Sequence, residues 1–369
     1  MINRRKFIGI AGVSLMVPMA TRGVPAVSGA GKKVLVLGGT GFLGPVLVDE
    51  LVSHGYSVTL FNRGLTNPTL FPELPLIAGD RQTEDGSGLS RLKKDTQEWD
   101  WVVDTWQGSS KAVEDTASIL AKRTPQYQFV STVSVYDKWD RIGITEDEPL
   151  NPLPSDAETI HSDNRYAIRK TFSEQVLRRH MPQSSVMFRS HGLRGYPTTK
   201  PKHEPYWQVK VARGKQLVAP GDAEYYQVTD MKSLARFMIH AGEQGLNGPF
   251  NVAYSPFLFR DFIQGMIEAT DSKVELHWLP QEFLLEHDAK LFRTTPAGRY
   301  RFDVSRALAA GLANRSHQQL LADQLKGYYD RNPNDDFNFG KPGTATISSA
   351  RESQLIELWR NRSDDAKVN

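Results

Sequence analysis

Tyr166 and Lys170, a phenol and an ammonium four residues apart, are the side chains of this 369-residue sequence best matched to chemistry. The stretch around them stays apolar at Ile168, Phe172 and Val176, which is helical spacing, and positions four apart lie on one helical face. A phenol with an ordinary pKa of about 10 is a poor base at neutral pH, but a neighbouring ammonium favours the phenolate. Such a pair can exchange a proton with a carbinol or carbonyl while a hydride moves to or from a carrier. The spacing alone is common, and an ordinary exposed helix explains it equally well. Upstream, residues 129–136 (FVSTVSVY) read as a strand ending in hydroxyls, where a short side chain can hold the reacting oxygen beside the phenol.

A carrier for the hydride is suggested by three glycines. Gly38, Gly41 and Gly44 stand at Gly-x-x-Gly-x-x-Gly spacing between an apolar run, residues 34–37, and an amphipathic pattern that ends at His54-Gly55. Pro45 fits only because it falls in the helix's first turn. Glycines here let the backbone approach a pyrophosphate, and the helix N-terminus attracts its charge, so Gly38, Thr40, Gly41, Phe42, Leu43 and Gly44 are the expected contacts. The alternative is a purely structural turn. Residues 56–61 read as a second strand, which completes the first half of a dinucleotide fold. At its end an acidic residue would normally take the adenosine ribose, and this chain has Asn62-Arg63 instead. A guanidinium suits a 2′-phosphate, so NADP is expected at least as much as NAD, unless Arg63 stacks on the adenine or faces water. Asp80 either accepts the adenine amino group or caps a turn.

The elements that must position these residues alternate. Strand-like runs at 76–78, 101–104, 128–131 and 185–189, separated by helical or polar stretches, predict an α/β chain with a doubly wound parallel sheet. Residues 31–192 are read as the dinucleotide-binding Rossmann domain. Residues 193–363 are read as mainly a smaller substrate-binding cap, with a helix at 231–241 and a strand at 248–252 returning to the core; 364–369 are read as a flexible tail. Residues 1–30 have the layout of an export signal: Arg4-Arg5-Lys6-Phe7, a weakly apolar run and small residues, which suggests the twin-arginine type. The run is too short for a stable membrane anchor, and Pro18 interrupts it.

Composition narrows the rest. With no cysteine, thiolate chemistry and cysteine metal sites are excluded, and the scattered histidines suggest no metal. A net charge of +3, with no long run of one sign, argues against nucleic acid as a partner.

The glycine loop (GGTGFLG), the segment VSTVSVY and Tyr166 with Lys170, in this order, resemble the NAD-dependent epimerase/dehydratase family, an extended short-chain dehydrogenase/reductase type, over about residues 33–360. The resemblance implies Thr132 as the hydroxyl of a catalytic triad, Tyr166 as acid/base, and Lys170 as ribose ligand and pKa modulator. It also implies an NAD(P)-dependent oxidoreductase or epimerase acting on a sugar-like or polyol substrate. Two departures matter. Sugar-nucleotide dehydratases of the family have Asp-Glu directly after the threonine, whereas this chain has Val133-Ser134, which disfavours dehydration. Arg189-Ser190-His191-Gly192 stands where relatives usually show Arg-Pro and a glycine turn. In the cap, Arg213 and Gln227 are candidate substrate contacts. The expected partners are thus a small-molecule substrate and the twin-arginine export machinery, with a homodimer left open. If the protein is exported, a tightly bound cofactor working in a closed redox cycle fits the scarcity of free nicotinamide outside the cytoplasm. A non-catalytic dinucleotide-binding sensor or interaction protein on the same fold is the alternative.

Overall fold

The computed structural model describes residues 31–83, 85–156, 165–196, 204–221, 225–291, 296–341 and 344–368. The expected export signal at 1–30 lies outside the described residues. In chain order the strands are β1 (Lys33–Leu37), β2 (Ser57–Asn62), β3 (Leu76–Ala78), β4 (Trp101–Asp104), β5 (Tyr127–Thr132), β6 (Ser185–Ser190), β7 (Leu193–Arg194), β8 (Gln216–Pro220), β9 (Tyr225–Tyr226), β10 (Thr229–Asp230), β11 (Gly248–Val252), β12 (Phe257–Leu258) and β13 (Glu275–Leu279). Seven of them form one parallel sheet in the order β11-β6-β5-β4-β1-β2-β3. The strand order reverses between β1 and β4, which makes this the switch point where a doubly wound sheet opens a crevice at its carboxyl edge.

Alternation along β1 shows why both faces are covered. Val34 and Val36 pack with Leu47 and Leu51 of the helix Gly44–Ser53 and with Phe237 of the helix Met231–Gln244. Leu35 and Leu37 pack on the opposite face with Val113 of the helix Ser110–Leu120 and Phe172 of the helix Tyr166–His180. Successive side chains of a strand point to opposite faces, so an uninterrupted apolar run demands helices on both.

The cap gathers the helices Tyr206–Arg213, Phe259–Thr270, His317–Arg331 and Ser349–Val368 around the parallel pair β8 and β13. Its own apolar cluster includes Trp207, Leu217, Phe259, Leu320, Tyr328 and Leu355. Gly248–Val252 pairs with β6 in the seven-stranded sheet, and Met231–Gln244 packs with residues of that sheet. Asp230 accepts from the amides of Lys232 and Ser233 at the start of that helix. Arg315 pairs with the same carboxylate at 2.7 and 2.8 Å, which ties the cap to the core. The last helix runs on to Val368, where the sequence reading places a tail from Asp364. Among the described residues no helix is long and apolar enough to cross a membrane, and no group of three acidic or histidine side chains is placed to hold a metal ion.

Candidate active site

The glycine loop joins β1 to the helix Gly44–Ser53, and its geometry explains its composition. Gly38 has φ +121°, a conformation that side chains rarely adopt, and a Cβ there would lie 2.4 Å from Thr105 Oγ1. At Gly44 a Cβ would meet the backbone of Gly39 at 2.6 Å, so helix and loop touch only because it is absent. Among the described residues no side chain caps this helix, whose N-cap is Leu43 with Pro45 in the first turn, which leaves its first amides for an anion. Phe42 carries a positive φ of 47°, a strained value for a non-glycine residue. These features fit a dinucleotide pyrophosphate, with Gly38, Thr40, Gly41, Phe42, Leu43 and Gly44 bordering its seat.

Asn62, at the end of β2, has both ends of its amide engaged: Nδ2 donates to the Gly38 carbonyl at 2.8 Å, and Oδ1 accepts from the Gly64 amide at 2.7 Å. It therefore braces the loop. Arg63 has a half-exposed side chain 4.0 Å from Asp80 Oδ2. Asp80 Oδ1 accepts from the Gln82 amide at 2.9 Å, so of its two sequence readings the structure shows the turn cap.

The reacting groups gather where β5 ends. Thr132 is the last residue of β5, Tyr166 opens the helix Tyr166–His180, and Lys170 lies one turn on. The Thr132 hydroxyl lies 3.3 Å from Ser134 Oγ, on the side of the Tyr166 phenol, whose pKa it pulls down. Tyr166 keeps 41% of its surface exposed. Lys170 is buried, its Nζ donating to the carbonyls of Val130 at 2.6 Å and Trp106 at 2.5 Å and lying 5.9 Å from the Tyr166 ring centre. The electrostatics differ from the sequence expectation in one respect. Packing around the phenol raises its pKa above 10, and the groups that pull it down are the Thr132 hydroxyl and Arg169, not Lys170. Burial instead acts on the lysine, lowering its pKa to about 7 against the opposing pull of the Asp104 and Glu174 carboxylates.

Both candidate substrate contacts in the cap are occupied internally. Arg213 donates to Asp335 Oδ1 at 3.0 Å, to the Tyr328 hydroxyl at 2.8 Å and to the carbonyls of Asp335 and Phe337. Gln227 is fully buried, donating to the carbonyls of Tyr254 and Phe302 and accepting from the Phe302 amide, each at 3.0 Å. Both hold cap segments together instead of facing an open site, because their reach is spent on nearby backbone. His191 is likewise buried, its Nδ1 2.8 Å from the Gln227 carbonyl, and burial lowers its pKa to about 4, so it is neutral.

Sequence reasoning missed two buried ion pairs behind the site. Glu174 and Arg189 are both 0% exposed and 2.7 Å apart, and Glu174 also accepts from Ser131, the neighbour of Thr132, at 2.5 Å. Arg81 and Asp104 form a second pair at 2.7 and 2.8 Å beneath the loop that follows β4. Glu174, four residues beyond Lys170 on the same helical face, was the available signal for the first.

A dinucleotide seat and a tyrosine–lysine–threonine set at the carboxyl edge of a parallel sheet define an extended short-chain dehydrogenase/reductase. The model of the NAD dependent epimerase/dehydratase family matches residues 34–253. The chain belongs to that family. A curated relative, the chloroplast stem-loop binding protein of 41 kDa b from Arabidopsis thaliana, is 29% identical over 132 residues, 33% of this chain and 34% of the relative, so the match spans about a third of that protein. Among solved structures, UDP-glucose 4-epimerase from Thermotoga maritima, crystallised with UDP-glucose, has a TM-score of 0.58 at 18% identity, covering 81% of this chain and 99% of that one. The Bordetella bronchiseptica enzyme WbmF, in complex with NAD+, has a TM-score of 0.55 at 17% identity, covering 83% and 95%. At these identities the likeness is one of fold.

Proposed function

We propose that the protein is an NAD(P)-dependent oxidoreductase or epimerase acting on a sugar-like or polyol substrate, with Tyr166 as proton donor and acceptor. The observation that carries this reading is the placement of Thr132 at the end of β5 beside the helix on which Tyr166 and, one turn on, the buried Lys170 lie. Thr132 and Tyr166 can together hold a substrate hydroxyl. Tyr166 Oη takes the proton as that hydroxyl becomes a carbonyl and returns it in the reverse step. Lys170, fixed by two carbonyls, has one N–H left for a ribose hydroxyl, and the nearby Arg169 charge is the one that favours a phenolate. When bound, the nicotinamide supplies the hydride acceptor and, in a closed cycle, the donor. Val133-Ser134 provides no carboxyl pair for elimination, which favours epimerisation or reduction over dehydration.

Arg63, exposed at the end of β2, supports NADP over NAD, with Asp80 as its resident partner. The export signal is carried into this reading: a twin-arginine substrate crosses the membrane folded and with cofactor loaded, and N-terminal sequencing of the exported fraction should begin after residue 26 or 30. The catalytic reading is tested by adding a panel of sugars and polyols to the dinucleotide-loaded protein while following nicotinamide absorbance and product stereochemistry. Turnover of at least one substrate, lost in Tyr166→Phe, is expected. A protein that binds dinucleotide but turns over nothing, with Tyr166→Phe behaving as wild type, would favour the non-catalytic reading.

A further inference from the structure

We propose that residues 104–109, the corner after β4, form a positioning element that registers the dinucleotide seat against the reacting centre, with Trp106 as its positioning residue; this rests on the reading of Tyr166 and Lys170 given above. Two consecutive residues of the corner touch the two halves of the site. Thr105 Oγ1 donates to the Leu37 carbonyl at 3.0 Å and fills the space that a Cβ on Gly38 would need. Trp106 presents its carbonyl to Lys170 Nζ at 2.5 Å. A shift of this corner therefore moves the first glycine turn and the lysine together.

The corner is held from several directions. The Trp106 amide donates to Asp104 Oδ1 at 2.9 Å, and its indole Nε1 donates to the Ser109 carbonyl at 2.8 Å. The indole lies over Gly108, where a Cβ would come within 2.6 Å of it. The Arg81 guanidinium lies 5.0 Å from the indole centre on its face. Arg81 is itself fixed by Asp104, by the Ala112 carbonyl at 3.0 Å and by Thr116 Oγ1 at 2.7 Å, while the Tyr127 hydroxyl donates to Asp104 Oδ2 at 2.6 Å. Asp104 is 0% exposed and Arg81 8%, yet among the described residues Arg81 Nε has no partner.

Packing alone does not call for this arrangement, since well-packed apolar residues often replace a buried ion pair at no loss of stability. An apolar pair would supply neither the acceptor for the Trp106 amide nor the cationic plane under the indole. With both, the Trp106 carbonyl is fixed in direction. Two of the three N–H bonds of Lys170 are then committed to Trp106 and Val130, which sets where the third one points. Asp104 also opposes the effect of burial on the lysine's charge.

The test is a double-mutant cycle in the full chain, read as affinity for NADP and NAD by calorimetry, with urea denaturation measured in parallel. Trp106→Ala should weaken dinucleotide affinity about tenfold, the scale of coupling within one contact network, and add less than about twofold in a Lys170→Met background. Trp106→Phe keeps a ring on Arg81 and should restore most of the loss. Gly108→Ala pushes the indole aside and should reproduce the Trp106→Ala effect, which keeps the test available if Trp106→Ala does not fold. Lower stability with unchanged affinity, or effects of Trp106 and Lys170 substitutions that simply multiply, would overturn the inference. A wild-type protein that binds no dinucleotide would instead remove the reading of the site on which the inference rests.

Discussion

Lys170 and Tyr166 divide the work differently from what their spacing suggests. Burial leaves the lysine, not the phenol, as the group whose charge changes near neutral pH. Below about 7 the ammonium is charged in both folded and unfolded chains. From there up to its ordinary 10.5 the unfolded chain holds a proton that the native lysine has lost, so this residue's contribution to stability rises with pH across that window. Dinucleotide binding that needs the ammonium should accordingly take up a proton above pH 7. Calorimetry in two buffers of different ionisation enthalpy at about pH 8 checks this, and no uptake would count against Lys170 as a ligand. Tyr166→Phe should lower turnover by about a hundredfold or more and leave dinucleotide affinity within about twofold. Arg63→Ala should weaken NADP by about tenfold and leave NAD nearly unchanged, as measured by titration of each. These residue identities were legible because Tyr-x-x-x-Lys and the glycine triplet are local patterns. The roles of Arg213 and Gln227 were not, because partners such as Phe302 and Asp335 lie 75 and 122 residues away.

Among the elements, the strand ending in Thr132 and the helix carrying Tyr166 and Lys170 must keep one register for the site to exist. Ser131, Glu174 and Arg189 fasten them, with Glu174 accepting from both β5 and β6 inside the core. Removing one member of a fully buried pair leaves an uncompensated charge, so Glu174→Gln should cost roughly 3–5 kcal/mol in urea denaturation. A loss well below this would mean that Arg189 finds another partner. Strand and helix positions were readable from apolar runs and from period; this buried network was not, because its residues come from three elements that only the sheet brings together. Val133-Ser134, by contrast, was informative as sequence, since it carries no carboxylate in the place where elimination chemistry has two.

For the whole molecule, the doubly wound parallel sheet was legible in the alternation of strands and helices, whereas the strand order was not, because pairing joins elements far apart in the chain. The joint between cap and core rests on Arg315, which pairs with Asp230 and also with Asp323 at 2.8 Å. Arg315→Met should lower the urea midpoint and broaden the transition as cap and core unfold less cooperatively; an unchanged, sharp transition would show that the apolar contacts suffice. Everything proposed for the site requires a dinucleotide on the loop from Gly38 to Gly44 beside Tyr166. Native mass spectrometry of the purified, dialysed protein tests it most directly. The predicted spectrum carries the added mass of one NADP or NAD per chain; a spectrum of bare chain that gains no such mass when either dinucleotide is added would contradict it.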